Sequence, residues 1–263
     1  MPFEILVSIY VLAGVLGLCV GSFLNVVIYR LPNEMSLSKP SSHCTSCGYS
    51  LKWYDNIPVL SYLMLGGKCR KCKEKISPRY MFVELLNAIL WLACAFLFAE
   101  NDIYYAIISA ILCSVLICVF FIDLKHLIIF DRFHIIILCL GIVAIFFDTF
   151  TVWYDHLIGM LAGGLVFLLL YFATILIYKK EGLGFGDVKL AFVVGLFLGW
   201  QKFLLAIIIA TFLASVILLI VKAVKKKEKG AEYPFGPFIS VGVITALLAG
   251  NYIINWYLSL FLI

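Results

Sequence analysis

Charged residues are scarce in this sequence, and acidic residues are the scarcer kind. Only 13% of the 263 residues are charged and 15 are acidic, whereas 64% are hydrophobic and the mean hydropathy is +1.10. A soluble domain cannot bury so much apolar surface. The composition therefore excludes a soluble enzyme and predicts a polytopic membrane protein.

The first apolar run, residues 4 to 29, lacks the features of a removable signal peptide. No basic residue precedes it, and GSFLNVVIYRLP follows where a small-residue cleavage site would be expected. We therefore expect this run to be a permanent first span.

Seven further apolar runs approach or reach the length that crosses about 30 Å of hydrocarbon. They lie near residues 81–99, 103–122, 133–148, 156–178, 187–200, 202–222 and 237–260. The runs at 133–148 and 187–200 are short and need help from flanking residues. The sequence thus predicts an all-α membrane protein with about eight transmembrane helices.

Basic residues alternate along the connections between these runs. Nine of the 20 lysines and arginines lie between Arg30 and Arg79, whereas the connection at 100–102 has none. The positive-inside rule then places the basic loops in the cytosol and both termini outside. Because the basic run at 222–229 adjoins a span, we expect it to contact anionic lipid or to fix orientation, and we expect no nucleic-acid partner.

Residues 31–80 form the only sizeable polar segment, and they contain two CxxC pairs separated by 21 residues. The four cysteines are Cys44, Cys47, Cys69 and Cys72. Two such knuckles suit four thiolates around a tetrahedral Zn²⁺, and a cytosolic loop disfavours the alternative of disulfides. A four-thiolate site has no open position for substrate, so we expect a structural zinc ion that orders this small loop.

The remaining five cysteines all lie within apolar runs, where a cysteine behaves as a small hydrophobic residue. They are Cys19, Cys94, Cys113, Cys118 and Cys139. We expect no chemistry from them.

Two aspartates stand at the expected cytosolic boundary of apolar runs, Asp123 in VFFIDLKHLIIFD and Asp187 in GFGDVKLAFVVGL. A carboxylate at helix depth costs roughly 2.5–3.5 kcal/mol, so a functional role is the first hypothesis. Two neighbouring carboxyl groups can act as general base and general acid and so direct water onto a peptide carbonyl. Gly184 and Gly186 lack Cβ, which would let a substrate backbone come close.

Structural roles remain open for each aspartate. Asp187 could cap the helix that follows it, and Asp123 could be an interfacial charge paired with Lys125. Asp131 is a further candidate, but its neighbours Arg132 and His134 favour a structural ion pair at the start of the next span. His126 and His134 lack metal-ligand spacing and have no assigned role.

Taken in order, these motifs resemble those of the bacterial type IV prepilin peptidases, which are intramembrane aspartyl proteases with a GxGD signature. The similar segments include GSFLNVVIYRLP, the CxxC pairs around WYDNIPVLSYL, ISPRYMFVELL, IDLKHLIIFD, GFGD and PFGPF, from residue 21 to 238. One departure is Phe130, where family members commonly have proline before the aspartate corresponding to Asp131. It is expected to loosen the turn after Asp123.

The resemblance implies Asp123 and Asp187 as catalytic residues on different helices. It further implies a bacterial inner-membrane enzyme that cuts basic leaders from prepilins and pseudopilins after glycine, at the cytosolic face. A second implied activity is methylation of the new N-terminus with S-adenosylmethionine as donor. In this interpretation residues 1–30 are the first span, 31–80 the zinc loop and methyltransferase region, and 81–263 the peptidase core.

The methyl-donor site has no clear sequence signature, because no glycine-rich strand-to-helix motif is present. Asn25, Arg30 and Glu84 are polar groups at a suitable depth, and each could equally be structural. The alternatives are a peptidase without methyltransferase activity, an ion-coupled transporter that uses the aspartates, or an assembly protein whose zinc loop binds partners. The transporter alternative predicts an internal repeat with matching broken helices in both halves, and the sequence shows no such repeat. Nothing in the pattern specifies an oligomeric state.

Overall fold

A computed structural model describes residues 2–149, 151–179, 182–224 and 233–260, and their regular structure is helical apart from two isolated β-bridges. The helices are α1 (Phe3–Arg30), α2 (Leu60–Met64), α3 (Arg79–Phe98), α4 (Ile103–His126), α5 (Asp131–Phe147), α6 (Trp153–Tyr178), α7 (Phe185–Leu198), α8 (Trp200–Val224) and α9 (Gly236–Ser259). The predicted all-α class is confirmed. Most of the basic run at 222–229 lies outside the described residues.

Six of these helices are long and apolar enough to cross a membrane: α1, α3, α4, α6, α8 and α9. The other two long helices, α5 with 17 residues and α7 with 14, coincide with the runs that the sequence marks as short. The structure thus supports a multi-pass membrane protein with six candidate spans. Eight spans would require α5 and α7 to cross as well, and that count stays a prediction.

The chain forms two compact units, Met1–Cys118 and Val119–Ile263. In the first unit, α1 packs along α3 through small residues. A Cβ on Gly17 would lie 2.8 Å from Cα of Ala88, and one on Gly21 would lie 2.8 Å from Cα of Glu84. Glycine at these two positions therefore lets the helix backbones come into contact, as is common between membrane helices.

A buried polar network also joins the helices of the first unit. The Asn87 side chain donates to the carbonyl of Gly17 at 2.7 Å and accepts from the Ser114 hydroxyl at 2.7 Å. The indole N–H of Trp91 donates to the same hydroxyl at 2.9 Å. Each polar group thus has a partner within an apolar surrounding, where an unpaired one would be costly. No local pattern in the sequence predicts this network.

In the second unit, α7 packs against α5, α6, α8 and α9, and ten of its 14 residues are buried. Gly195 of α7 meets Gly159 of α6 backbone to backbone, so a side chain at either position would collide with the other helix. The helix begins after Gly184 and ends at Gly199, whose φ of +75° favours glycine. These contacts fix α7 in the interior of the unit.

A buried polar cluster lies at the C-terminal end of α7. The carboxylate of Asp148 lies 3.8 Å from Nζ of Lys202 and 3.8 Å from Nε2 of His156. Nδ1 of His156 lies 2.9 Å from the carbonyl oxygen of Leu196. These contacts place the α7–α8 connection and the α5–α6 connection at the same end of the second unit. Successive connections are expected to alternate between the two sides of a membrane, and these two are an even number of helices apart.

Candidate active site and metal centre

Asp123 lies in the last turn of α4 and is only 5% exposed. Its Oδ2 accepts a hydrogen bond of 3.0 Å from the backbone N–H of Gly236, the first residue of α9. A helix N-terminus offers unpaired N–H groups and a partial positive charge, which suit a carboxylate. Among the described residues, the hydrogen-bond partner of Asp123 is therefore Gly236 and not Lys125, so the alternative of an Asp123–Lys125 pair is wrong.

Asp187 is the third residue of α7, and the N-cap position is occupied by Gly184. Asp187 therefore does not occupy the N-cap position that the sequence suggested, although its Oδ2 lies beside Gly184, the residue that does. The residue is 7% exposed, and its Oδ1 has no hydrogen-bond partner among the described residues. A buried oxygen without a partner is costly in free energy. It is therefore available to bind a water molecule or a substrate group.

The two aspartates occupy one end of the second unit, on either side of Ile129. A Cβ on Gly236, next to Asp123, would lie 3.1 Å from Cδ1 of Ile129, and one on Gly186, next to Asp187, would lie 3.3 Å from its Cβ. The structure thus brings together two residues that are 64 positions apart in the chain.

A second set of contacts holds the turn before Asp187. Nε2 of His134 lies 3.1 Å from the carbonyl oxygen of Gly186. Asp131 forms an ion pair of 2.7 Å with Lys189 and lies 3.4 Å from Nδ1 of His134. Asp131 thus forms an ion pair at the start of α5, with Lys189 in place of the Arg132 that the sequence suggested. The role of His134 was missed because its partner is 52 residues away.

Phe130 precedes α5, where the resemblance predicted a proline. Its φ of −74° and ψ of 138° lie in the region that a proline would adopt. Phe130 therefore reproduces the backbone conformation of the proline without its ring, and the ring contact of Phe130 with Phe133 adds packing at the helix start.

The four loop cysteines converge on one point, with all four sulfur atoms within 4.8 Å of one another. Sγ of Cys44 lies 3.8 Å from Sγ of Cys72, and Sγ of Cys47 lies 4.0 Å from Sγ of Cys69. Four sulfurs at 2.3 Å from a tetrahedral Zn²⁺ would be about 3.8 Å apart. The cluster therefore fits zinc, and every cysteine is free of disulfides.

The two CxxC knuckles have matching backbone geometry. An antiparallel bridge closes each one, between His43 and Ser50 and between Lys68 and Lys75. Four residues after the first cysteine of each pair the chain turns with positive φ, at Gly48 (+67°) and Lys73 (+61°). Two similar turns therefore present two sulfurs each.

Backbone groups favour the metal-binding form of one of these thiols, that of Cys44. Hydrogen bonds from the backbone N–H groups of Cys47 and then Ser46 lower the pKa of the Cys44 thiol to about 6. A thiol with this pKa is largely ionised at neutral pH, and the thiolate is the form that binds metal.

The zinc loop also contains an ion pair that links its two halves. Nε of Arg70 donates to Oδ1 of Asp55 at 2.6 Å, and Tyr49 and the backbone N–H of Lys52 donate to Oδ2 at 3.2 Å each. Burial works to raise the pKa of Asp55, but these donors, Arg70 foremost, lower it below its ordinary value. Asp55 therefore joins the knuckle of Cys69 and Cys72 to the middle of the loop.

The three candidate methyltransferase residues have different surroundings, all within the first unit. Asn25 donates to the carbonyl of Tyr80 at 2.9 Å, which ties α1 to the start of α3. Glu84 accepts from the backbone N–H of Val59 at 2.8 Å. Arg30 donates to four carbonyl groups of the loop that follows α1, those of Ser36, Leu37, Pro40 and Ser41.

These features define the class of protein: a helical multi-pass membrane protein with a four-cysteine centre in its first unit and two buried aspartates in its second. Comparisons identify the family. The profile of the bacterial peptidase A24 N-terminal domain matches residues 15–98, and that of the type IV leader peptidase family matches residues 110–219.

Curated relatives agree with both profiles. A prepilin leader peptidase/N-methyltransferase of Pseudomonas aeruginosa is 34% identical over 267 residues, which cover 93% of this chain and 91% of the relative. A protein of the same name from Aeromonas hydrophila is 33% identical over 270 residues, with coverage of 94% and 92%. The chain therefore belongs to the type IV leader peptidase family, as its motifs predicted. No solved structure matches it.

Proposed function

We propose that this protein removes the leader peptides of type IV prepilins and pseudopilins and then N-methylates the new N-terminus. Membership of the type IV leader peptidase family, with relatives named for both activities, supports this function. The observation that carries the catalytic assignment is the pair of buried aspartates, Asp123 and Asp187, at one end of the second unit.

Hydrolysis by this pair follows general acid–base chemistry. One carboxylate takes a proton from water while the oxygen of that water bonds to the carbonyl carbon, and the other carboxyl group protonates the carbonyl oxygen. The C–N bond then breaks, the nitrogen takes a proton, and the leader ends in a carboxylate. Each cycle consumes one water molecule and returns both aspartates to their starting states.

The glycines before Asp187 leave room for the backbone of the prepilin to approach the Asp187 carboxyl group. A peptide bond within a helix is shielded by its own hydrogen bonds, so the scissile segment must unwind before attack. Gly184 and Gly186 lack Cβ atoms, so they do not block a nearby peptide. Oδ1 of Asp187 has no hydrogen-bond partner among the described residues. We assign the unwound segment of the prepilin to this turn.

The membrane placement follows from charge. With the basic loop 31–80 in the cytosol, both aspartates face the cytosolic side of the inner membrane, and both termini lie outside. The prepilin would place its apolar helix beside the enzyme's spans, with its leader in the cytosol.

Methyl transfer is assigned to the first unit, where Cys44, Cys47, Cys69 and Cys72 would hold a structural Zn²⁺ that orders loop 31–80. S-adenosylmethionine supplies an electrophilic methyl group on a sulfonium sulfur. The lone pair of the prepilin amine forms the N–C bond as the C–S bond breaks, its electron pair stays on sulfur, and the nitrogen loses one proton.

The decisive experiment compares wild type with Asp123→Asn and Asp187→Asn, co-expressed with a prepilin. Each asparagine keeps the side-chain volume but cannot exchange a proton, so we expect the cleavage rate to fall at least about 100-fold. Asp102→Asn is the matched control, because it makes the same change at an aspartate of the first unit that accepts from the backbone N–H groups at the start of α4, a position where asparagine is equally suitable. Gel shift and mass spectrometry report leader loss and the added methyl group.

Each outcome has a separate meaning. Wild-type cleavage with methylation, lost cleavage in both active-site variants and near-normal cleavage in the control support the whole proposal. A cleaved but unmethylated wild-type product reduces the function to a peptidase. Normal cleavage by either active-site variant removes that aspartate from the mechanism.

A further inference from the structure

A cavity of about 370 Å³ lies in the first unit, between the last turns of α1 and the loop that follows it. Its volume is within the range of about 300–1,000 Å³ that small-molecule sites occupy. The residues that line it and carry the argument are Cys19, Ser22, Arg30, Ser41, Ser42 and Asn56. Hydroxyl and amide groups therefore share this lining with apolar side chains of α1.

One end of the cavity carries a buried positive charge. Arg30 is 6% exposed, and its guanidinium donates to the carbonyls of Pro40 at 2.7 Å and Ser36 at 2.9 Å. Within the described parts of the chain, no carboxylate forms an ion pair with it. Carbonyl groups hold the guanidinium in place but do not neutralise it. A buried charge normally has an opposite charge as its partner, so this end suits an anionic group.

The other end of the cavity approaches a carboxyl group. Glu84 of α3 lies next to this end, where its Cα approaches Gly21 of α1, and its Oε2 accepts from the N–H of Val59. Ser22 and Arg30 are eight residues apart on α1, which is about 12 Å along the helix. The cavity thus offers a cation for an anionic group at one end and a hydroxyl group, with Glu84 behind it, at the other.

We propose that this cavity binds the methyl donor, with the carboxylate of the donor at Arg30 and the rest of the molecule extending along the cavity towards Ser22. The proposal rests on the N-methyltransferase activity proposed above and adds the position of its donor site. It gives Arg30 two roles, because the same guanidinium orders the loop after α1 and attracts the donor. Asn25, whose amide group ties α1 to Tyr80, has a structural role instead.

Donor binding by the resting, full-length protein tests the site without any prepilin. Cys19 lines the cavity, has an exposed side chain and is not a zinc ligand. Cys19→Trp should fill the cavity and weaken equilibrium binding of radiolabelled S-adenosylmethionine at least about tenfold. Cys139→Trp is the matched control, because it makes the same change at an exposed cysteine of α5 and should leave binding unchanged.

A cleavage assay keeps the test independent of misfolding, and a second variant tests the charge. Both tryptophan variants should cleave prepilin at the wild-type rate, since their aspartates are untouched. Arg30→Gln, which removes the charge, should also weaken donor binding at least about tenfold, as expected for the loss of a charge-assisted hydrogen bond.

The outcomes separate this site from the activity on which it rests. Wild-type affinity in Cys19→Trp overturns the site, as does an equal loss in Cys139→Trp. If Cys19→Trp leaves donor binding intact but reduces co-purified phosphatidylglycerol, the anion at Arg30 is a lipid phosphate and the proposal is wrong. If wild type binds no donor and transfers no methyl group, the methyltransferase activity itself fails.

Discussion

The backbone N–H of Gly236 and Oδ2 of Asp123 form a buried hydrogen bond of 3.0 Å across 113 residues of sequence. A Cβ on Gly236 would lie 2.7 Å from that same oxygen and 3.1 Å from Cδ1 of Ile129. The position of the Asp123 carboxylate therefore depends on the missing side chain at residue 236. This glycine belongs to PFGPF, a motif that the sequence analysis used only for recognition.

Gly236→Ala should displace the Asp123 carboxylate and lower the rate of prepilin cleavage roughly tenfold to 100-fold, because catalysis is sensitive to shifts of about 1 Å. Gly14→Ala is the control, since a Cβ there would lie an ordinary 3.5 Å from Leu92. Cleavage rates and thermal unfolding of both purified variants are the measurements. A Gly236→Ala enzyme as fast as wild type would refute the dependence.

His134 should position the turn that carries Asp187. His134→Ala removes the contact to the carbonyl of Gly186, and we expect kcat to fall about tenfold with little change in KM, since the side chain does not reach the substrate. His134→Gln can still donate to that carbonyl and should restore most of the rate. His126→Ala serves as the control. Equal losses in the alanine and glutamine variants would mean that only the ring packing matters.

The four-cysteine cluster should hold one zinc ion per chain. Cys69→Ser removes a buried ligand, so metal analysis of the purified protein should find close to none, and limited proteolysis should cut loop 31–80 faster. Cys139→Ser, outside the cluster, should keep both properties at wild-type levels. Stoichiometric zinc in the Cys69→Ser protein would contradict the four-thiolate site.

The Asp55–Arg70 pair should make the stability of the zinc loop depend on pH. The folded-state pKa of Asp55 lies below its unfolded value of about 3.9, so its stabilisation is fully present above that pH and is lost as the pH falls through the folded value. Wild type should therefore retain zinc to higher temperatures than Asp55→Asn at pH 7 and pH 5.

The difference between the two proteins should narrow below about pH 4, where the wild-type carboxylate takes up a proton. Zinc retained after heating and desalting is the measurement at pH 7 and pH 5. At lower pH the thiolates take up protons and release zinc from both proteins, so the measurement there is amide hydrogen exchange in loop 31–80. A constant difference down to pH 3 would show that charge is not the reason for the stabilisation.

Local sequence patterns predicted the features that depend only on residues close together in the chain. Apolar runs located the long helices to within a few residues, including the short α7, and the CxxC spacing located the metal cluster. The rarity of carboxylates in apolar runs singled out Asp123 and Asp187. In each case the signal is a property of one segment and its cost in a membrane.

Contacts between distant segments could not be predicted in this way. The partner of Asp123 is a backbone N–H, which every residue except proline has, so no sequence letter marks it. Lys202 is the first residue of the apolar run 202–222, and nothing in that run indicates that its side chain is buried beside Asp148. The Asn87 network and the role of His134 likewise depend on which helix faces meet, and helices that are apolar on all sides do not show those faces in their sequence.

The length of α7 has a consequence for the access of water. Its 14 residues measure about 21 Å, some 9 Å less than a typical hydrocarbon core. If α7 crosses the membrane with Leu198 level with one surface, Asp187 lies well below the other, and a hydrolase needs water at that depth. Because α5, α6, α8 and α9 pack against α7, that water requires an aqueous depression between these helices on the side of Asp187.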